Sequence, residues 1–221
     1  MSTNTFFMLG VIHRDEEGPA LLKDWLARIK PGVVTLELSH YGMRFRREVG
    51  EEYTKRINKI VAKREERGES CSREALKSLL SYVNIPYEYD EASAYAAEYG
   101  IPFYLIDMDF FSYVKLRTIE DLLSDENIEM VLARADEGSN GNQEMAMSRL
   151  YFEKGVTIAQ YDREMFIRDR YMSAKIQNLM KGNHDKRFLH VCGWQHMQDP
   201  SNLYRQFNPI KVFSHDKTFC L

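Results

Sequence analysis

Two histidines follow the same short pattern at opposite ends of this chain. Residues Gly10 to His13 and residues Gly193 to His196 both read G-x-x-H. The first pattern lies at the end of a short apolar run, and the second directly follows one. Runs of this length and of Phe, Val and Ile content favour buried strands. Because the carboxyl ends of parallel strands meet at one edge of a sheet, where open α/β sheets bind ligands, we expect the two histidines to share a crevice. The alternative for each is a structural histidine.

A third candidate is Glu37, which lies near the end of the next apolar run, Val33 to Leu38. A carboxylate within such a run costs several kcal/mol of desolvation unless it is paired or binds a metal. The run follows that of His13 along the chain, so we expect Glu37 to join the same crevice. The alternative is an exposed acid just past the end of a strand.

A charged pair interrupts the apolar side of a long helix predicted over Thr157–Met180. Arg168 and Asp169 fall within or just beside that apolar sector, where inward-facing charges are expensive unless they are matched. We expect Arg168 to be mostly buried and paired with an acid, either Glu37, Asp107 or the local Asp169. The alternatives are a structural pair that ties the helix to the sheet and a clamp on an anionic group of a substrate. The apolar sector consists of Ile158, Tyr161, Met165, Met172, Ile176 and Leu179.

The elements that must position these residues form a βαβ pattern. A strand, a helix and a second strand occupy about the first 38 residues, which requires a parallel pair of strands. We predict an α/β fold with a mostly parallel central sheet flanked by helices, a helical insertion before the last strands, and a single domain over residues 1–221. A Gly/Ser/Asn loop is predicted at Gly138–Asn142. The predicted strands are Thr5–Ile12, Val33–Leu38, Phe103–Ile106, Phe188–Cys192 and Ile210–Phe213.

Composition and charge exclude several classes of protein. The 221 residues are 44% hydrophobic and 29% charged, which rules out intrinsic disorder. A formal net charge of −3 makes a general nucleic-acid binder unexpected. No apolar stretch approaches the roughly 20 residues that span a bilayer, and no basic residue precedes the first apolar run, so neither a membrane protein nor a secretory signal is expected. Three cysteines without a C-x-x-C pair fit a reducing compartment, and the predicted location is the cytoplasm.

Charge is distributed unevenly between two segments. Residues 43–67 carry nine basic and five acidic side chains, whereas residues 107–144 carry three basic and ten acidic ones. The basic segment is interpreted as a solvated helix face, with attraction of an anionic substrate as the alternative. The two segments could also pair between subunits, and the oligomeric state stays open.

Several familiar motifs are missing or fail in context. The chain has no G-x-S-x-G elbow, P-loop, G-x-G-x-x-G or H-E-x-x-H motif. Residues Gly182 to Asp185 resemble one metallophosphoesterase motif, but the companion motifs are absent and Gly182 is explained as a helix cap. Cys192 lies inside a predicted strand and is interpreted as a small core residue rather than a nucleophile.

Taken together, the order and spacing of these motifs resemble the TraB/PrgY–Tiki superfamily, which also includes erythromycin esterase-like and haem-binding ChaN-like proteins. The resemblance extends from Phe6 to about Met197. It rests on Gly10-x-x-His13, on Lys30-Pro31-Gly32-Val33-Val34-Thr35-Leu36-Glu37-Leu38, on Glu88 opening an alanine-rich helix, on Ile101-Pro102-Phe103-Tyr104-Leu105-Ile106-Asp107 with Arg117 downstream, on Arg168-Asp169-x-x-Met172 and on Gly193-x-x-His196.

The resemblance implies a parallel α/β domain whose two G-x-x-H motifs and early glutamate share one site. It assigns His13, Glu37 and His196 to the core of that site, with Arg168 as a further catalytic residue. The residues assigned to substrate binding or to support of that core are Gly10, Gly193, Glu88, Asp107, Arg117 and Asp169. Tiki proteins are metal-dependent proteases that use manganese or cobalt, whereas erythromycin esterases use a histidine-activated water.

The resulting hypothesis is a hydrolase that cleaves a peptide or ester bond of a small-molecule or peptide substrate. His13, Glu37 and His196 would activate the water around a divalent metal, for which imidazole and carboxylate ligands suit manganese, cobalt or zinc. A site without a cofactor is the alternative. The rival class is a non-catalytic protein that binds a small ligand such as haem.

Overall fold

The computed structural model describes residues 5–133, 140–154 and 163–216, with the backbone alone for 140–143. The chain divides into two compact units. The sheet unit comprises residues 1–39, 87–108 and 144–221, and the helical unit comprises residues 40–86 and 109–143. The assignment of residues 1–221 to a single domain stays a prediction.

A five-stranded sheet forms the centre of the sheet unit. All of its neighbouring strands pair in parallel, in the order β3-β2-β4-β1-β5. This confirms the predicted α/β fold with a parallel sheet, and each predicted strand is present to within two residues at either end. The strands are β1 (Phe6–Val11), β2 (Val33–Leu36), β3 (Phe103–Leu105), β4 (Phe188–Gly193) and β5 (Ile210–Phe213).

The helices account for most of the remaining described residues. Two short 3-10 helices, Trp194–Gln198 and Arg205–Phe207, connect β4 to β5. The α-helices are α1 (Gly18–Ile29), α2 (His40–Glu66), α3 (Arg73–Val83), α4 (Tyr87–Tyr99), α5 (Asp109–Leu116), α6 (Ile119–Leu122), α7 (Asp125–Leu132), α8 (Asn140–Lys154) and α9 (Arg163–Gly182).

The three central strands, β1, β2 and β4, are buried on both faces, which explains why they are mostly apolar rather than alternating. One face packs against α1 and α4 through a core that includes Leu22, Trp25 and Ala92. The other face packs against α9 through Met172 and Ile176. The sheet therefore holds α9, with its charged pair, against the strands that end in the candidate residues.

Two predicted segments lie partly outside the described residues. The described part of α9 begins at Arg163, and the predicted start over Thr157–Asp162 lies outside the described residues. The loop predicted at Gly138–Asn142 is wrong for residues 140–142, which begin α8, while Gly138 and Ser139 lie outside the described residues. Polar residues are common in a first helical turn, because its N–H groups have no partners within the helix.

The helical unit has its own apolar core. It also contains ion pairs between the basic segment 43–67 and the acidic segment 107–144. Helix α3 begins after Ser72, whose hydroxyl accepts a hydrogen bond from the backbone N–H of Ala75. Basic residues of α2 form ion pairs with α7, including Arg56 with Asp125 at 2.6 Å and Arg64 with Glu129 at 2.8 Å. The opposite charges of the two segments are thus paired, at least in part, within one chain. The core consists of Ile57, Ile60, Leu79, Val83, Leu116, Ile119, Leu123, Ile128 and Leu132.

No helix in the described parts of the chain combines the length and the apolar character needed to cross a membrane.

Candidate active site

The order of the strands brings the candidate residues together at the carboxyl edge of the sheet. Strand β4 lies between β1 and β2, and its last residue, Gly193, pairs with Val11 of β1. On the other side, the backbone N–H of Glu37 donates to the carbonyl of Val191 at 2.9 Å. His13 and Glu37 therefore follow strands on either side of β4.

Gly193 leaves the space in which these two side chains approach each other. A Cβ atom placed on Gly193 would lie 2.9 Å from Nε2 of His13 and 3.5 Å from Oε2 of Glu37. The glycine of the second G-x-x-H motif is therefore needed for close approach of side chains and not for an unusual backbone angle, because its φ is −55°.

Glu37 is a buried carboxylate, and both of its oxygens are engaged. Oε2 accepts a hydrogen bond from the backbone N–H of Gly193 at 2.7 Å, and Oε1 lies 2.9 Å from Nε2 of His196. Oε1 also forms an ion pair with Nη2 of Arg168. Burial alone would raise the pKa of Glu37, but His196 and Arg168 hold that pKa well below its usual range. Glu37 is thus an anchored anion.

Arg168 links Glu37 to the third strand end. Its Nε and Nη2 donate to the two carboxylate oxygens of Asp107 at 3.1 and 2.7 Å, and Asp107 follows β3. The side chain is only 16% exposed, which confirms the expectation of a buried arginine paired with Glu37 or Asp107. Within the described residues Nη1 makes no hydrogen bond, so this nitrogen remains available to a ligand.

His196 is held on both sides of its ring. Nδ1 lies 2.6 Å from Oδ1 of the fully buried Asp169, which also accepts a hydrogen bond from the Tyr204 hydroxyl at 2.9 Å. Burial opposes the charged form, but Glu37 and Asp169 outweigh it and raise the pKa of His196 to about 10. The neighbours Arg168 and Asp169 thus serve two different residues, Glu37 and His196.

His13 differs from His196 because one of its ring nitrogens is open. Nδ1 lies 2.6 Å from Oε1 of Glu88, a buried residue in the first turn of α4, while Nε2 has no partner within the described part of the chain. The His13 side chain is 49% exposed. Desolvation of the covered part of the ring would lower its pKa, but Glu88 outweighs that effect and raises the pKa of His13 to about 9.

The remaining predicted residues lie in different places. Gly10 is buried, and a Cβ atom there would lie 3.1 Å from Cα of Trp194, so this glycine allows the loop after β4 to pack closely. Arg117 belongs to the helical unit, where it is exposed. Its assignment to the site stays a prediction.

Sequence reasoning missed a second polar layer beneath the site. His190 of β4 is fully buried and its Nδ1 lies 3.1 Å from the Thr35 hydroxyl, while burial lowers the pKa of His190 to about 4. Tyr204, which holds Asp169, stacks on the His190 ring at a centroid distance of 6.0 Å. The available signal was the polar residue in the middle of an apolar strand.

Cys192 is buried and burial raises the pKa of its thiol, which supports its interpretation as a core residue.

The predicted metal ligands do not form an open ligand set. In the described residues, no group of three or more His, Cys, Asp or Glu side chains is arranged to hold a metal ion. Glu37 bonds Arg168, His196 and Gly193 through its two oxygens, and both ring nitrogens of His196 face carboxylates. Of the three predicted ligands, His13 alone has a ring nitrogen without a partner among the described residues. Imidazole and carboxylate groups suit a divalent metal, but their arrangement here does not fit one. The divalent metal stays a prediction that the structure does not support.

No protein-family model, no curated protein and no solved structure matches this chain.

Proposed function

We propose that this protein is a hydrolase that activates a water molecule beside His13 and Glu37 and cleaves a peptide or ester bond. One observation supports this most directly. Glu88 holds Nδ1 of His13, while the open Nε2 faces the space above Gly193 near Oε2 of Glu37. A carboxylate that orients an imidazole whose other nitrogen is free is the arrangement of a general base.

In the proposed reaction His13 removes a proton from water. When Nδ1–H donates to Glu88, Nε2 of the neutral ring carries the lone pair that accepts this proton. The resulting imidazolium is stabilised by Glu88 and can return the proton to the leaving group. Because the pKa of His13 is raised to about 9, the basic form becomes more populated as the pH rises towards that value. Turnover should therefore increase with pH in this range.

Glu37 and Arg168 have supporting roles in this proposal. The lowered pKa of Glu37 makes it a poor base, so we assign it to orienting the water through a hydrogen bond. Nη1 of Arg168 is the available donor for the negative charge that develops on the carbonyl oxygen. His196 and Asp107 hold these two side chains in place.

The proposed steps use only the protein's own side chains, because two of the predicted metal ligands, Glu37 and His196, already bond each other. A metal could supply a more acidic water, and chelation tests that possibility. A chelator that abolishes turnover, with recovery on addition of manganese, cobalt or zinc, would restore the metal-dependent hypothesis. Turnover that is indifferent to chelation would support water activation by histidine.

A screen of peptide and ester substrates tests the proposed function. His13→Ala and Glu37→Gln should each abolish turnover, while the matched controls His184→Ala and Glu98→Gln change exposed residues and should retain it. Circular dichroism verifies that each variant is folded. Turnover that survives both site substitutions would place the chemistry elsewhere, and no turnover on any substrate by the wild type would contradict the proposal.

Haem binding is the second candidate, and the open nitrogen of His13 is the observation that favours it. A half-exposed imidazole with a free Nε2 has what an axial haem ligand requires. Titration with haem would then produce a Soret band that His13→Ala removes. A spectrum identical to that of free haem would contradict this candidate.

Membership of the TraB/PrgY–Tiki superfamily is also a proposal, supported by the motifs quoted above. We further propose a cytoplasmic protein that acts on a small molecule or a peptide, without nucleic-acid or membrane partners. The free thiols of Cys71 and Cys192 support a reducing compartment.

A further inference from the structure

The turn that carries His13 is held at the residues on either side of it. It connects β1 to α1, and Arg14 adopts a left-handed conformation with φ of 68°. Such a conformation is unfavourable for a residue other than glycine, so surrounding contacts must stabilise it. Two contacts from residues distant in sequence hold the turn. His215 contacts Asp15, and Tyr87 contacts Ile12.

Asp15 connects the turn to the end of β5. Its Oδ2 accepts a hydrogen bond from Nε2 of His215 at 2.7 Å, and its Oδ1 accepts one from the backbone N–H of Glu17 at 3.1 Å. The side chains of His215 and Asp15 are 9% and 12% exposed, and the His215 ring packs against Phe213. A pair this sheltered from solvent is a stronger constraint than an exposed ion pair.

Tyr87 holds the other side of the turn. Its hydroxyl donates to the carbonyl of Ile12 at 3.1 Å, and the next residue, Glu88, binds the ring of His13. Gly18 admits the Tyr87 ring, because a Cβ atom at Gly18 would lie 2.4 Å from its Cζ. The first turn of α4 therefore contacts both the backbone before His13 and the imidazole itself.

We propose that His215 and Tyr87 are positioning residues that hold the turn so that the His13 ring remains on Glu88 with Nε2 towards Gly193. Because about half of the His13 side chain is exposed, its contact with Glu88 depends on how the backbone of the turn is anchored. Neither residue needs to contact the substrate. The catalytic consequence rests on the proposed hydrolase, whereas the structural consequence for His13 does not.

The first test compares two substitutions of one residue. His215→Phe removes the donor but keeps an aromatic ring beside Phe213, and His215→Gln keeps an N–H donor. We expect kcat of His215→Phe to be about 10-fold below that of wild type, with little change in KM, because a small misplacement of a catalytic group reduces turnover strongly. His215→Gln should retain most activity, and the exposed His184→Phe should behave as wild type. Equal losses in the Phe and Gln variants would overturn the proposal.

The second test does not require turnover. The proton on Nδ1 of His13 that is shared with Glu88 should give a downfield NMR resonance, which is assigned by its loss in Glu88→Gln. We expect this resonance to broaden or disappear in His215→Phe and in Tyr87→Phe, which keeps the ring beneath Gly18, and to persist in His215→Gln. An unchanged resonance in both His215→Phe and Tyr87→Phe would overturn the proposal. A wild type inactive on every substrate would count against the hydrolase alone.

Discussion

Gly193 and His13 approach so closely that a methyl group on the glycine would lie 2.9 Å from Nε2 of the imidazole. The glycine ends β4, whereas the histidine follows β1, which is the neighbouring strand. The open nitrogen of His13 therefore faces Gly193, which is both the last residue of β4 and the first residue of the second G-x-x-H motif. Any side chain at position 193 would compete with the water or ligand that this nitrogen binds.

Gly193→Ala should consequently impair the site without unfolding the protein. The added methyl group meets the far end of the His13 side chain, which can move, so the fold tolerates the substitution while the His13 ring is displaced from its position beside Gly193. We expect turnover to fall on the order of 100-fold, with a thermal midpoint close to wild type. Gly182→Ala is the control, because a Cβ atom there has no neighbour within 4 Å. Equal activity of the two variants would contradict this prediction.

Arg168→Leu should destabilise the protein. The substitution keeps an apolar side chain on α9 but leaves the buried carboxylates of Glu37 and Asp107 without their shared cation. We expect the free energy of unfolding in urea to fall by about 3 kcal/mol. Arg170→Leu, which changes an exposed residue on the same helix, should alter it by less than about 0.5 kcal/mol. Similar losses for the two variants would show that the ion pairs contribute little.

Glu88→Gln should lower the pKa of His13 from about 9 towards the ordinary histidine value of about 6.5. The negative charge of Glu88 favours the protonated ring, so its removal makes the proton easier to lose. Because half of the ring is exposed, water screens this pair, and we expect a wild-type value at or below 9. NMR titration of the His13 ring measures the change, and Glu98→Gln, at an exposed position of α4, is the control. An unchanged pKa would mean that Glu88 does not bind His13 in solution.

Alkaline pH should destabilise the fold through His196. Its pKa is raised in the folded state to about 10, so the stability that its protonation provides is complete below about 6.5 and is lost as the pH rises through 10. The free energy of unfolding in urea, measured at pH 7 and pH 10.5, should therefore fall more in wild type than in His196→Gln. Parallel pH dependence in the two proteins would contradict the raised pKa.

Much of this arrangement was readable from local patterns. Short apolar runs rich in β-branched and aromatic residues predicted the strands, because both faces of a parallel sheet are buried. The helical period of α9 placed Arg168 on its inner side, and the structure pairs it with Glu37 and Asp107 as expected. The G-x-x-H motifs marked two strand ends. These inferences depend only on which residues share a face, and that is a property of neighbouring residues in the sequence.

The tertiary structure alone decided which of these residues meet. The position of β4 between β1 and β2 places Gly193 between His13 and Glu37, and strand order depends on long-range packing that no local period records. Contacts such as His13 with Glu88 and Asp15 with His215 join residues 75 and 200 positions apart. The sequence by itself placed these polar groups at the carboxyl ends of parallel strands, which share one edge of a sheet. The choice of partner followed from the energetic need to pair every buried charge within the folded chain.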